Sequence, residues 1–101
     1  MANKKVYIDP DLEFLIPQFL ENREEDIKNL EKLLEEREFD QIRIIGHSIK
    51  GSGGGYGFDY LTELGSQIEK NAELKNEDEI NDLIDEIKNY LDNIEIIYQD
   101  E

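Results

Sequence analysis

A chain of 101 residues holds one hydrophobic core and one domain, expected to run over residues 1–101. It has no cysteine, which excludes disulfides and thiolate metal sites, and no apolar run long enough to span a bilayer. Its 26 acidic residues against 11 basic ones leave a net charge of −15, which repels nucleic acid and anionic membrane surfaces. Residues 1–7 lack the apolar stretch of a signal peptide, so a cytoplasmic protein is expected.

Asp9-Pro10 marks a turn or a helix start, since proline is tolerated at the first helical position. Ile16, Phe19, Leu20, Ile27, Leu30 and Leu34 then recur at three- and four-residue steps, which places them on one helix face. Pro17 lacks the amide proton of an interior position and splits off a short first helix. Arg23 falls within this stripe and is expected to snorkel its charge to the edge. A break follows at residues 36–40.

The second helix carries Ile42, Ile45, Ile49 and Tyr56 on its core side, and should end in the glycine-rich stretch of residues 53–57. A third helix has Leu61, Leu64, Ile68 and Ala72 as its stripe. Residues 74–78 form a turn, where Asn76 followed by Glu79 has the pattern of a capping box. The last helix is the most regular: Ile80, Leu83, Ile84, Ile87, Leu91, Ile94, Tyr98. No segment of useful length alternates with period two. The expected fold is all-α, an antiparallel four-helix bundle with a short extra N-terminal helix.

The charge is unevenly spread. Residues 41–58 contain no Asp or Glu, yet hold Arg43, Lys50 and the only histidine, His47. An acid-free island in so acidic a chain points either to an anion or to burial. At roughly 100° per residue, His47, Asp40, Arg43, Gly51 and Gly54 share the front of the second helix. Ile42, Ile45 and Ile49 lie behind, where the core must be, so His47 should face solvent. Lone histidines are usually idle surface or core residues, and here the neighbours speak against idleness.

Gly51 and Gly54 follow His47 by about one and two turns, each costing the helix up to ~1 kcal/mol relative to alanine. Either they clear space for another protein beside the imidazole, or they merely loosen a helix end. Lys50, three residues on, can meet the ring. It is either a partner for a phosphoryl group or an ordinary solvated lysine. Ile44, exposed to one side, suits a docking surface, although single exposed apolar residues are common. Imidazole is largely neutral at pH 7 and offers a free ring nitrogen to phosphorus.

The run His47-Ser48-Ile49-Lys50-Gly51-Ser52-Gly53-Gly54-Gly55-Tyr56-Gly57-Phe58 resembles the signature of histidine-containing phosphotransfer (HPt) domains. Leu61, Leu64 and the Ile68-Glu69 pair are similar to its continuation. The stretch Leu15-Ile16-Pro17-Gln18-Phe19-Leu20-Glu21-Asn22-Arg23 resembles bacterial, stand-alone members. The resemblance implies a phosphoacceptor at His47, Lys50 as electrostatic partner of the phosphoryl group, and Gly51 as the clearance residue. It also implies that Glu69 accepts a hydrogen bond from the other ring nitrogen and so sets the tautomer. Arg43, Ile44 and Gly54 complete the expected binding face. The triplet Gly53-Gly54-Gly55 is richer in glycine than the family pattern.

The implied function is a phosphorelay intermediate that exchanges a phosphoryl group between His47 and the aspartate of a response-regulator receiver domain. A receiver and/or a hybrid histidine kinase would be the partner. No cofactor of its own is expected, the Mg²⁺ coming from the receiver, and a monomer is the default. An ATP-dependent kinase is disfavoured, because residues 51–57 fit neither a P-loop nor a dinucleotide fingerprint. A metal hydrolase is disfavoured by one histidine and no cysteine. The rival is a receiver-binding interaction module that carries no phosphate. Transfer from a phosphorylated receiver separates the two.

Overall fold

Four amphipathic helices make up most of the described residues. In the computed structural model, which describes residues 4–99, α1 spans Ile16–Glu35, α2 Phe39–Tyr56, α3 Asp59–Glu73 and α4 Glu77–Asn93. Residues 1–3 and 100–101 of the expected domain, and the first three positions of the segment lacking a signal sequence, lie outside the described residues. The connections leave only residues 36–38, 57–58 and 74–76 between helices, too short for anything but antiparallel neighbours. Leu61, Leu64, Ile68 and Ala72 of α3 are all buried, as are Ile80, Leu83, Ile84 and Ile87 of α4.

The predicted short N-terminal helix is a 3-10 turn over Pro10–Leu15, with Asp9 Oδ1 accepting from Asp11 N at 2.9 Å. Pro17 sits in the first turn of α1, so the split falls just ahead of it. The two outer connections close alike. Arg37 and Lys75 adopt positive φ (56° and 55°), and the next amides return to Leu33 O at 2.9 Å and Asn71 O at 3.0 Å. Asn76 Oδ1 accepts from Glu79 N at 3.4 Å, the half of the capping box that the sequence leads one to expect.

One feature departs from a purely helical reading. α4 stops at Asn93, and Ile94–Tyr98 forms strand β2, paired in parallel with β1, Lys4–Ile8, in the register Lys4↔Ile94 to Ile8↔Tyr98. Ile94 and Tyr98 therefore do not continue the stripe of the last helix. Their segment is rich in β-branched and aromatic residues, which suit a half-buried ribbon. Its partner lies at the other end of the sequence, so period counting within one window cannot detect the pairing. Val6 and Ile8 point into the core and close the end of the bundle.

Arg23 also departs from expectation. Its side chain is only 11% exposed. The guanidinium lies over the Phe19 ring at 5.1 Å, its Nε is 2.8 Å from Asp26 Oδ2, and its Nη1 donates to Ser52 Oγ on α2. Burial pushes the Asp26 carboxyl above its ordinary value, against the opposing pull of Arg23.

At the α3–α4 contact Tyr60 and Tyr90 meet with ring centroids 5.1 Å apart. The hydrogen bond from Tyr60 to Glu86 pushes its hydroxyl up to about 12. Desolvation pushes that of Tyr90 up to about 12 as well. Both folded values exceed the ordinary 10.0, so their stabilisation is complete below that pH and is lost as pH rises from 10 toward 12. Two of the five tyrosines should titrate late in the ultraviolet phenolate band, with stability falling over the same interval. A single titration of all five near the ordinary value would contradict this.

Candidate functional site

The site begins with two glycines. A Cβ on Gly46 of α2 would lie 2.8 Å from Glu69 N and 3.0 Å from Gly65 O, and one on Gly65 of α3 would lie 2.6 Å from Lys50 N and 2.7 Å from Gly46 O. Only glycine lets the backbones approach this closely. The buried line of α2 is accordingly Ile42, Gly46, Ile49 and Gly53, with Ile45 and Tyr56 only half-buried. At about 100° per residue, this line lies about 130° from His47 rather than directly behind it. His47 thus stands at the rim of the α2–α3 seam, which brings α3 within its reach.

From that rim the His47 side chain is 69% exposed, and its Nδ1 lies 3.0 Å from Glu69 Oε2. Glu69 itself is 19% exposed. Its other oxygen, Oε1, is 3.7 Å from Lys50 Nζ, an ion pair without a close hydrogen bond. An ionised carboxylate only accepts, so the neutral ring carries its proton on Nδ1 and leaves the Nε2 lone pair free. Thr62 Oγ1 donates to Lys50 O at 3.1 Å and ties α3 to the turn that follows His47.

The remaining predicted positions gather around the ring unequally. A Cβ on Gly51 would meet nothing within 4 Å among the described residues, while one on Gly54 would make ordinary contact with Thr62 Oγ1 at 3.4 Å. Ile44 is 59% exposed. Arg43 is half-buried, so it contributes less to the open face than its helical angle suggests. The acid-free window of α2 is not acid-free in space, because α3 delivers Glu69 into it.

Gly46, Gly65 and Thr62 are site-building residues that the sequence reading missed. The one available signal is Gly65 lying inside the apolar stripe between Leu64 and Ile68. Among the described residues no group of three His, Asp or Glu side chains is placed to hold a metal ion, and no helix is long and apolar enough to cross a membrane.

The family model of the Hpt domain matches residues 15–96. Neither a curated protein nor a solved structure matches the chain. Hpt domains are helical bundles that serve phosphorelays as histidine phosphotransfer carriers rather than kinases, between histidine kinases and receiver domains. Because the match begins at the foot of α1, runs through all four helices and ends inside β2, the chain belongs to the Hpt domain family.

Proposed function

We propose that this chain takes a phosphoryl group onto Nε2 of His47 and exchanges it with the aspartate of a response-regulator receiver domain. One observation carries the reading: the exposed ring is held through Nδ1 by Glu69 at 3.0 Å, which leaves Nε2 as the outward nucleophile. In the forward step the Nε2 lone pair attacks phosphorus of the receiver's aspartyl phosphate. The P–O bond to the carboxylate breaks and the aspartate leaves with that electron pair. The proton stays on Nδ1, and the Glu69 carboxylate offsets the positive charge of the phosphorylated ring. The reverse step returns the group to an aspartate.

Lys50, 45% exposed and only loosely held by Glu69, swings its ammonium to the phosphoryl oxygens. Gly51 leaves the turn beside the ring bare for the partner's active site. Arg43, Ile44 and Gly54 flank the docking face. Mg²⁺ belongs to the receiver, and this domain acts in the cytoplasm as a monomer that needs no cofactor of its own. A hybrid histidine kinase is the second partner class. The chain does not label from ATP by itself.

The test is incubation with a panel of phosphorylated receiver domains. An acid-labile, alkali-stable phosphoryl group should appear on the chain, and ATP alone should add none. Binding without transfer from any receiver would instead favour a phosphate-free interaction module.

Docking and chemistry should separate by residue. Ile44→Glu should weaken receiver binding by about tenfold, through lost apolar contact and repulsion from the receiver's acidic pocket. Lys50→Ala should slow single-turnover transfer by on the order of tenfold or more with little change in affinity, because the phosphoryl charge is present only during reaction. Gly51→Gln should damage both. Unchanged affinity in Ile44→Glu, or altered affinity without altered rate in Lys50→Ala, would refute this division.

A further inference from the structure

The second half of α2 is a helix that its own sequence does not favour. Of the residues from Gly51 to Tyr56, four are glycine, all in helical conformation. Close packing accounts for Gly53, whose Cβ would lie 2.9 Å from Thr62 Oγ1 and 3.0 Å from Thr62 N. It accounts for neither Gly51 nor Gly55, whose Cβ atoms would meet nothing within 4 Å among the described residues. A segment so weak in local preference must be held from outside.

The holding residues lie one turn apart on α1. Phe19 packs its ring on Tyr56 at 4.7 Å and stacks on Phe58 at 4.8 Å. Arg23, one turn further, places its guanidinium over Phe19 and donates to Ser52 Oγ. Ser52 is one turn before Tyr56, so a two-rung contact spans the glycine-rich turns. The Ser52 hydroxyl donates in turn to Ser48 O at 3.0 Å, which passes the restraint to the residue after His47. Asp26 Oδ2 lies 2.8 Å from Arg23 Nε, an ion pair that falls short of hydrogen-bond geometry, and its charge holds the guanidinium from the other side.

We propose that Arg23 is a positioning residue for phosphotransfer: with Asp26 as its orienter, it clamps the glycine-rich half of α2 in helical form and so keeps the bare face beside His47 in register. This rests on the reading of His47 as phosphoacceptor. A clamp reconciles two opposing demands. The partner needs a surface without side chains, and a helix without side chains frays. Arg23 supplies the order from the far side of α2, away from the docking face.

Backbone hydrogen exchange on the full chain tests the clamp without any phosphate. Arg23→Met retains an apolar stem over Phe19 and removes the polar fork. Exchange at residues 51–57 should accelerate about tenfold or more, while α4 keeps its protection, and transfer from a phosphorylated receiver should slow several-fold. Adding Gly55→Ala, which strengthens the helix at a position facing open space, should restore both protection and rate. Ser52→Ala, which removes the acceptor for Arg23 and the donor to Ser48 O but leaves the guanidinium over Phe19, should loosen the same segment less.

Unchanged exchange at residues 51–57 in both Arg23→Met and Ser52→Ala would overturn the proposal. So would a uniform loss of protection that Gly55→Ala fails to correct, because that describes general destabilisation. If the segment loosens as expected but the wild-type chain accepts no phosphoryl group, the clamp on α2 stands and the phosphotransfer reading falls.

Discussion

His47→Gln should abolish phosphoryl uptake and leave the fold almost unchanged. The side chain is 69% exposed and contributes little burial. Its side-chain contact with Glu69 can be made again by a glutamine amide donating to the same carboxylate. Surface changes of this kind stay within about 0.5 kcal/mol, a shift of at most about 4 °C for a domain of this size. The chemistry has no such substitute, because an amide nitrogen has no basic lone pair to attack phosphorus. Transfer from a phosphorylated receiver and a thermal melt on the same preparation give both readings. Label on the variant would place the acceptor elsewhere, and a variant that fails to fold would mean that the ring does structural work its exposure does not suggest.

Gly65→Ala should do the reverse, damaging fold and site together while leaving His47 intact. The added Cβ would sit 2.6 Å from Lys50 N and 2.7 Å from Gly46 O. Both are backbone atoms inside hydrogen-bonded helix, so neither can rotate away as a flexible side chain would. α2 and α3 must move apart, at a cost of about 1–3 kcal/mol and a melting temperature lower by roughly 5–20 °C. Glu69 lies one turn beyond Gly65, so the same displacement stretches its contact with His47 Nδ1 and should slow transfer. Gly51→Ala is the control. It is the same chemical change on a helix, but its Cβ meets open space, and it should be neutral or stabilising by up to ~1 kcal/mol. Equal melting of the two variants would rule out the close seam between α2 and α3.

The helices were legible because each buries one face, and a buried face leaves a period in the sequence. The α3 stripe of Leu61, Leu64, Ile68 and Ala72 and the α4 stripe from Ile80 to Ile87 need no knowledge of their neighbours. The exposure of His47 was legible for the same reason, from the isoleucines on the other side of its helix. The placement of Glu69 beside the ring came from family resemblance, and the distance of 3.0 Å agrees with it. Its role, like those of Lys50 and Gly51, belongs to the proposed function. Periodicity places Ile45 on the core side, and it does pack against the core, but only half-buried, because the Gly46–Gly65 approach puts the α2–α3 seam to one side of it.

What the sequence determined by itself was local: which residues face inward, where proline and glycine interrupt a helix, and which face of α2 carries the histidine. These follow from periodicity and propensity, which act within a few turns of chain. The remaining features depend on contacts between segments remote in the chain. A glycine in a stripe does not announce whether it is a gap or a contact, so the Gly46–Gly65 seam needed both helices in place. Arg23 looked like an edge residue until α2 offered Ser52 to its guanidinium. The pairing of Lys4–Ile8 with Ile94–Tyr98 joins segments some ninety residues apart in the chain. A strand of five residues takes its stability from its partner, and no local period records a partner so distant.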